Sequence, residues 1–372
     1  MRILLVIDSF SSGGAQRQII NLAIVLKKRG HQVEIFNYFP HLDFYRSALQ
    51  EEGIVIHDFV KKNKFSILPI FALIKLLMKG DFDVALSYLA TPNLYLELAH
   101  LFSWETKIIV SERSSHLGSG SIPLQKMFHS LATQVVVNSK SHQAWLLQKY
   151  PAFKTKLSVI YNGVDFESFK LADPSQKRKN KLKFLAIGRV GPEKNILNVV
   201  HALFQFHQKY GWCPHLDWVG DFDGSDDGKK YFNKVSQFLG ENTVVKEKIT
   251  FMGPRYDVNL LIKEYDALLH PSLYEGLPNV ICESLAVGRP VLASNVCDNG
   301  ILVEDGKRGF LFNPTDSSSI VSAINRFNNV EQSYYLEMCQ NSRGFAEKFL
   351  SLEQMVNAYE ALFLKICNRY LA

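Results

Sequence analysis

The segment YEGLPNVICE holds two acidic residues, Glu275 and Glu283, on either side of a predicted helix start. Pro278 suits the first position of a helix, because its missing N–H and fixed φ cost little there. We therefore predict a helix over residues 279–287, ended by Gly288. The first N–H groups of a helix lack intrahelical partners, and the helix dipole adds partial positive charge. This helix start could therefore bind a phosphate group.

The two carboxylates would flank such an anion. Glu283 lies four residues after Asn279, so we expect it on the same helix face, about 6 Å further along the axis. Glu275 precedes the helix on the other side of its start. A nucleotide sugar has a matching layout, since a ribose and a second sugar flank its diphosphate. Two surface glutamates that flank a helix start by chance would show the same spacing, so the pattern alone leaves both interpretations open.

Basic and glycine residues follow two other predicted strands. IGRVGPEKN presents Arg189 and Lys194 at the end of a strand, where they could neutralise a diphosphate and the charge that develops as it leaves. Basic loop residues by themselves indicate only solubility. In SSGG, Gly13 and Gly14 allow close backbone approach before a helix. The segment lacks the GxGxxG pattern, which argues against a dinucleotide site.

Strands and helices alternate along the chain and predict where these residues lie. RILLVID is a short apolar run typical of a buried parallel strand, and an amphipathic helix with Ile19, Leu22, Ala23 and Leu26 at helical spacing follows it. The pattern pauses in the polar, basic stretch LADPSQKRKNKLK and then restarts. Two parallel α/β domains that face each other across a cleft would bind ligands at the carboxyl ends of their strands.

Four segments are predicted from this alternation. They are an N-terminal domain at 1–170, a linker at 171–183, a C-terminal domain at 184–345 and a helical segment at 346–372 that could cross back to the first domain. A length of 372 residues agrees with about two domains. The whole net charge of +6 falls within residues 1–170, and nucleic acid, an anionic membrane or an acidic ligand could each explain it.

Composition and termini predict a cytoplasmic protein. The five cysteines show no CxxC spacing, so we expect reduced thiols and no zinc site. The apolar run after Arg2 meets Asp8 and then glycines, where a signal peptide would need a longer apolar core. No run of about 18 apolar residues predicts a transmembrane helix.

The chain resembles the GT-B glycosyltransferases of family 4, the retaining, nucleotide-sugar-dependent enzymes also called glycosyl transferases group 1. The motifs that carry the resemblance run along nearly the whole chain. They are GG in the first turn, VVVNSKS, VIYNGVD, GRVGPEKN, VGDFDG, ITFMG, HPSLYEGLPNVICESLAVGRPVLASNV and VEDGKRGFLFNP. EGLPNVICE matches the two-glutamate signature of the family, and the resemblance implies two Rossmann-like domains.

The resemblance implies roles for individual residues. Arg189 and Lys194 would bind the diphosphate, Glu283 would hold the ribose, and Glu275 would contact the donor sugar. The catalytic set would then be Glu275, Lys194 and Arg189. The remaining donor-binding residues would act through backbone groups near the phosphates or close the cleft from the first domain; they are Gly13, Gly14, Gly276, Leu277, Pro278 and Asn279.

This sequence departs from the family pattern in two loops. Many relatives carry a histidine after the strand that here reads KIIVSE, where this chain has Glu112 and Arg113, with His116 a little later. These three are acceptor-side candidates. In a later loop, CDNGILVEDG replaces a glycine-rich stretch, and the resemblance transfers no role to its Asp298 and Asn299.

A third loop carries a motif that is known from a different glycosyltransferase fold. Asp221-Phe222-Asp223 looks like a DxD metal motif, but it falls at a strand-ending turn of this family, so no metal site is predicted. No cofactor is expected beyond the donor, for which a UDP-sugar is favoured. His270, just before the proline of HPSLYEG, is read as a packed histidine rather than a base.

The predicted function is a retaining hexosyl- or N-acetylhexosaminyltransferase of cell-envelope polysaccharide synthesis, with a glycan or lipid-linked glycan acceptor. A sugar-nucleotide epimerase on the same fold and a noncatalytic polysaccharide-binding protein are the alternatives. The segment from Lys61 to Gly80 is basic and apolar, which predicts peripheral binding to the anionic inner face of the cell membrane and no nucleic-acid partner. Its Leu73, Leu76 and Leu77 would equally well pack a helix against the sheet.

Overall fold

The structure is a computed structural model that describes residues 1–63, 66–113, 128–173 and 182–368. The chain divides into two compact units. The first contains Met1–Gly163 together with Leu352–Ala372, and the second contains Val164–Ser351.

The described part of the first unit holds a parallel sheet of seven strands. They are β1 (Arg2–Val6), β2 (Gln32–Asn37), β3 (Val55–Asp58), β4 (Val84–Tyr88), β5 (Lys107–Glu112), β6 (Gln134–Val137) and β7 (Leu157–Val159). Their order is β3-β2-β1-β4-β5-β6-β7. The central strand β1 pairs in parallel with β2 and β4. Because helices cover both faces of such a sheet, its strands are continuously apolar, as RILLV predicts.

Helices of the first unit follow its strands. They are α1 (Gly14–Lys28), α2 (Arg46–Glu51), α3 (Leu68–Gly80), α4 (Ala90–His100) and α5 (Lys140–Lys149), with a 3₁₀ turn at Pro151–Thr155. The apolar stripe predicted for α1 is confirmed, since Ile19, Leu22, Ala23 and Leu26 are all buried. The residues at the end of α1 are typical of a helix C-terminus. Lys27 and Lys28 lie in the last turn, and Gly30 follows with a φ of 86°.

The described part of the second unit holds a six-stranded parallel sheet. Its strands are β8 (Lys183–Ile187), β9 (His215–Val219), β10 (Ile249–Gly253), β11 (Ala267–His270), β12 (Val291–Ser294) and β13 (Gly309–Phe312). Their order is β10-β9-β8-β11-β12-β13. Since β8 and β11 are neighbours at the centre, the loops that follow them meet at one edge of the sheet.

Helices of the second unit connect these strands. They are α6 (Ile196–Tyr210), α7 (Asp226–Glu241), α8 (Thr243–Lys246), α9 (Val258–Leu261), α10 (Asn279–Ala286), α11 (Asn299–Val303), α12 (Ser317–Asn328) and α13 (Gln332–Phe349), with 3₁₀ turns at Pro192–Lys194 and Ile262–Glu264. The buried face of α6, with Val199, Leu203 and Phe206, packs into the core of this unit beside Trp218 of β9. The two parallel-sheet domains predicted from the sequence are confirmed.

The last helix, α14 (Leu352–Ile366), belongs to the first unit. Its Val356, Tyr359 and Phe363 are fully buried in the core that also holds the apolar face of α1. Gly163 allows the start of α14 to pack closely against the first unit, because a Cβ at residue 163 would lie 2.7 Å from Cα of Leu352. No other residue type fits at that position without a shift of the backbone.

Candidate active site

Lys194 and Glu275 meet at the carboxyl end of the second sheet. The loop after β8 carries Lys194, and the loop after β11 carries Glu275. Nζ of Lys194 lies 2.5 Å from Oε1 of Glu275, and Nε2 of His270, the last residue of β11, lies 3.1 Å from the same oxygen. A cation and a carboxylate predicted from separate motifs thus form one cluster in the structure.

The loop that carries Lys194 is fixed by backbone geometry. Gly188 has a φ of 152° and lies under the side chain of Lys194, whose Cε would be 3.2 Å from a Cβ at that position. The N–H of Leu273 donates to the carbonyl of Glu193 at 2.9 Å, which joins this loop to the one that carries Glu275. The two loops therefore hold the ion pair between them.

Asn195, which follows Lys194, ties together three loops. It adopts a left-handed conformation with a φ of 59°, and its Nδ2 donates to the carbonyls of Pro271 and Pro314. Those prolines follow β11 and β13. An asparagine suits this position because it tolerates the left-handed region and its amide reaches backbone acceptors. The motif GRVGPEKN contains this residue, but the sequence reasoning assigned no role to it.

Electrostatics keep Glu275 ionised. Burial would raise its pKa, but the contacts with His270 and Lys194 outweigh burial and hold the pKa well below its usual range. Burial lowers the pKa of His270 despite its contact with Glu275. We assign the neutral form to the fully buried imidazole, so Lys194 is the cation of the cluster at neutral pH.

The helix next to this cluster begins at Asn279 as predicted, but its proline lies one position before the helix and its C-terminal end is one residue shorter than predicted. Pro278 is the residue before α10, with extended backbone at φ −74° and ψ 109°, and not its first helical residue as predicted. The helix ends at Ala286 instead of Val287, and Gly288 follows with a φ of 76°. Proline fits both positions because neither needs its N–H. The N-terminus of α10, with its partial positive charge, still directly follows the loop that carries Glu275.

The remaining donor-side residues lie around this helix with different exposure. Glu283 is buried inside α10 at 3% exposure, whereas the side chain of Arg189 is 62% exposed. The guanidinium of Arg189 lies 3.8 Å from Glu193, a solvent-accessible pair of little energetic weight. Lys194 is thus held in the cluster, while Arg189 is a surface cation at the end of β8. Gly276 and Leu277 belong to the backbone that leads into α10, and Asn279 is the first residue of that helix.

In the first unit, Gly13 and Gly14 form the turn between β1 and α1. Gly13 precedes the helix with extended backbone, and a Cβ there would lie 2.2 Å from Oε1 of Gln16. The amide of Gln16 donates in turn to Asp8 at 2.9 Å. The glycine therefore lets a side chain of the first helical turn fold back over the end of β1.

Glu112 and Arg113, two of the acceptor-side candidates, are engaged in interior contacts. Glu112 is buried at the end of β5. The guanidinium of Arg113 lies 3.8 Å from the ring centroid of Tyr88 and donates to Asn162 and Tyr359, each at 2.6 Å. Arg113 thus joins the ends of two strands to α14. The third candidate, His116, lies outside the described residues.

A buried acid–histidine–acid cluster lies behind Glu112. Nε2 of His129 lies 2.9 Å from Glu112, and Nδ1 lies 2.6 Å from Glu97 of α4. Burial lowers the pKa of His129, but the hydrogen bonds with Glu112 and Glu97 outweigh it and raise the pKa to about 9. The histidine is therefore charged at neutral pH. Sequence reasoning missed this cluster, because no local motif links residues 15 to 32 positions apart.

Asp223, the second aspartate of the DxD-like motif, has a hydrogen-bond partner in the protein. A carboxylate oxygen of Asp223 accepts from the N–H of Ser225 at 3.0 Å, just before α7. Across residues 1–63, 66–113, 128–173 and 182–368, His, Cys, Asp and Glu side chains do not gather into a group of three that could hold a metal ion. In the same part of the chain, none of the helices has the length and apolar character needed to cross a bilayer.

Comparison with known families agrees with this architecture. Residues 168–345 match the family model described as glycosyl transferases group 1, and residues 12–168 match the model described as glycosyltransferase family 4. Together the two matches extend from residue 12 to residue 345.

Characterised relatives are also similar to parts or all of the chain. A UDP-Gal:alpha-D-GlcNAc-diphosphoundecaprenol alpha-1,3-galactosyltransferase of Escherichia coli is 31% identical over 46% of this chain and 45% of its own length. The match thus spans less than half of that relative. A Campylobacter jejuni alpha-1,4-N-acetyl-D-galactosaminyltransferase, named for an undecaprenol-diphosphate-linked glycan, is 23% identical over 94% of both chains.

Solved structures share the fold. A glycosyltransferase from Rickettsia africae superposes with a TM-score of 0.84 at 20% identity over 99% of both chains. Anabaena HepE, solved in complex with UDP and glucose, superposes with a TM-score of 0.80 at 20% identity over 97% of this chain and 99% of HepE. These likenesses confirm the predicted GT-B fold. The family matches and the curated relatives favour a transferase over an epimerase or a noncatalytic polysaccharide-binding protein, and the chain belongs to the group 1, family 4 glycosyltransferases.

Proposed function

We propose that this enzyme transfers a hexose or N-acetylhexosamine, with retention of anomeric configuration, from a UDP-sugar to a hydroxyl of a lipid-linked glycan. The observation that carries the proposal is the contact of Lys194 with Glu275 beside the start of α10. It brings a cation, a carboxylate and the partial positive charge of a helix N-terminus to one end of the sheet. These groups complement the diphosphate and the hydroxyls of a nucleotide sugar.

In this proposal the donor diphosphate lies against the first turn of α10. Lys194 and Arg189 neutralise its charge, and the backbone of Gly276, Leu277, Pro278 and Asn279 surrounds the phosphates and the sugar. Glu283 accepts hydrogen bonds from the ribose and Glu275 from the donor sugar.

Chemistry then requires no nucleophile from the protein. The bond between the anomeric carbon and the diphosphate oxygen breaks, and the acceptor oxygen attacks from the same face through an oxocarbenium-like transition state. The departing phosphate takes the proton of the acceptor hydroxyl. Lys194, Arg189 and the helix start stabilise the negative charge that grows on the diphosphate, so catalysis is mainly positioning and electrostatics. No metal ion or cofactor enters this scheme.

The acceptor is proposed to be anchored in a membrane. The Escherichia coli and Campylobacter relatives are named for undecaprenol-linked substrates, and a Salmonella relative is named as a lipopolysaccharide 1,6-galactosyltransferase. An acceptor of this class would keep its lipid in the bilayer while the terminal sugar enters the active site. This supports the peripheral, cytoplasmic-face localisation expected from the sequence.

The exposed surface of α3 supports membrane binding. Leu73 and Leu77 are buried against the sheet, as the packing alternative expected, but Phe71 and Met78 on another face are 60% and 66% exposed. Trp104, which follows α4, is 79% exposed. Met78 and Trp104 line a common cavity of about 520 Å³, so these two exposed apolar side chains lie near each other. An exposed apolar surface of this kind suits the boundary between lipid headgroups and acyl chains.

Basic side chains accompany this apolar surface. Lys62, Lys75 and Lys79 are exposed, and residues 59–80 contain no Asp or Glu. Acidic residues also line the cavity, among them Asp81 and Glu105, so we assign the attraction to anionic lipid to the three lysines. Each basic residue near such a surface contributes about 1 kcal/mol at low ionic strength.

A donor and acceptor screen tests the function. The protein is incubated with UDP-sugars and other nucleotide sugars, with and without undecaprenyl-diphosphate-linked sugars, and products are separated by mass and analysed by NMR. We expect transfer only when both substrates are present, with retained configuration at the anomeric carbon. An isomer of the donor sugar that accumulates without acceptor would support the epimerase. Absence of nucleoside diphosphate binding by calorimetry would support a noncatalytic protein.

A further inference from the structure

His270 has an unusual place in the active-site cluster. It is the last residue of β11, and only 2% of its surface is exposed. Nε2 lies 3.1 Å from Oε1 of Glu275, yet the approach lies outside the direction of a hydrogen bond, so this nitrogen is a buried polar atom without an aligned partner among the described residues. A buried polar atom in this condition carries a free-energy cost. A small rotation of the Glu275 carboxylate would remove that cost.

Lys194 competes with His270 for the carboxylate. Its Nζ lies 2.5 Å from Oε1, the same oxygen that faces the imidazole. Glu275 and Lys194 are the charged groups of the described residues that act on His270. If the ammonium moves toward a bound diphosphate, Glu275 loses its charged partner while it stays largely buried. The carboxylate would then need another donor to remain ionised and in one orientation.

We propose that His270 is a positioning residue that receives the carboxylate of Glu275 when donor binding draws Lys194 to the diphosphate. The N–H at Nε2 then forms an aligned hydrogen bond with Oε1. The second oxygen, Oε2, faces the donor sugar as a hydrogen-bond acceptor. The inference rests on the proposed function, because it needs a diphosphate that competes with Glu275 for Lys194. It explains why a histidine, and not an apolar residue, ends this buried strand.

The test compares two substitutions at His270. In H270L the donor group is lost, whereas in H270Q the amide Nε2 lies near the position of the imidazole Nε2 and keeps an N–H. We expect UDP affinity, measured by calorimetry, to change less than about twofold in both, since Lys194 and α10 remain. The value of kcat should fall about 10- to 100-fold in H270L and recover at least partly in H270Q. On the acid side, kcat of H270L should begin to fall at a higher pH than kcat of wild type, because Glu275 protonates more easily without the imidazole.

A double substitution separates this role from a general packing role. In the E275Q background, H270L should lower kcat less than about twofold further, because His270 acts through the carboxylate. An equal loss of kcat in the wild-type and E275Q backgrounds would overturn the inference. A pH profile of kcat for H270L that coincides with that of wild type would also overturn it. Should H270L fail to fold, the comparison uses H270Q and the measurement below.

A measurement on the unsubstituted protein completes the test. In histidine-labelled protein, the Nε2 proton of His270 should move downfield when UDP is added, and E275Q should abolish the change. Absence of a shift in a protein that binds UDP contradicts the inference alone. Absence of UDP binding and of transfer by the wild type would contradict the proposed function instead, so the two failures can be told apart.

Discussion

The ammonium of Lys194 and the carboxylate of Glu275 are separated by 81 residues of sequence but only 2.5 Å in space. One residue comes from the loop after β8 and the other from the loop after β11, and these strands are neighbours in the sheet. The pairing gives each side chain a defined position before any donor is present. A cation held in this way is available for a diphosphate at the start of α10.

Removal of Lys194 should therefore impair donor use more than removal of Arg189. We expect Lys194→Ala to lower kcat/KM by roughly 30- to 1,000-fold, or on the order of 2–4 kcal/mol, because it removes a charge that stabilises the leaving diphosphate. Arg189→Ala should cost less, since its side chain is largely exposed. Steady-state kinetics measure both, with Lys209→Ala, an exposed lysine of α6, as the control. Wild-type rates in both active-site variants would place the phosphate site elsewhere.

Exchange of the two glutamates for glutamine should separate binding from turnover. Glu283→Gln should weaken binding of free nucleoside diphosphate, because an amide replaces one acceptor oxygen at the ribose by a donor. Glu275→Gln should leave that binding nearly unchanged and depress kcat. Calorimetry with UDP and single-turnover kinetics distinguish the two effects. An unchanged UDP affinity in the Glu283 variant would contradict the assignment of this residue to the ribose.

Particular residues explain how far the sequence could predict this site. Lys194, Glu275 and Glu283 lie in contiguous motifs, and alternating strands and helices bring the ends of β8 and β11 together, so their common location was predictable. The approach of His270 to Glu275 could not be predicted, because a histidine at the end of a strand packs in many proteins without a partner. The contact of Arg113 with Tyr359 could not be predicted either, since it depends on α14 packing in the first unit.

Alkaline pH should destabilise the protein through His129. Its pKa is raised to about 9 in the folded state from 6.5, so the protonated ring contributes stability that is fully present below pH 6.5 and is lost as pH rises through 9. The contribution is about 3 kcal/mol. Denaturant unfolding between pH 6 and pH 10 measures it. His129→Gln should be less stable at pH 6.5 and show a shallower decline, and parallel pH curves for the two proteins would count against the cluster.

Transfer activity should persist in EDTA. Lys194, Arg189 and the first turn of α10 can neutralise the diphosphate without a divalent ion, and Asp223 is already bonded to the N–H of Ser225. Rates with and without chelator give the comparison, and modest stimulation by magnesium would be compatible with the proposal. Complete loss in EDTA with recovery in manganese would instead assign a metal to Asp221 and Asp223.

The exposed surface of α3 should bind the enzyme to anionic membranes. At low salt the protein should sediment with phosphatidylglycerol vesicles and be released by high salt, because the attraction between its lysines and the lipid is screened. The double substitution K75E/K79E should reduce the bound fraction strongly, since it reverses two charges beside Phe71 and Met78. K229E/K230E reverses two exposed charges on α7 of the second unit and should bind like wild type.

The apolar part of the surface can be tested separately. Trp104→Ser should weaken vesicle binding at all salt concentrations, because it removes an exposed ring whose contribution does not depend on charge. Its activity on a water-soluble acceptor analogue should equal that of wild type, since the residue lies before β5, at the opposite end of the strand from Glu112. A wild-type protein that stays in the supernatant at low salt would contradict membrane binding and indicate a soluble acceptor. Binding that is equal in K75E/K79E and wild type would move the membrane contact to another surface of the chain.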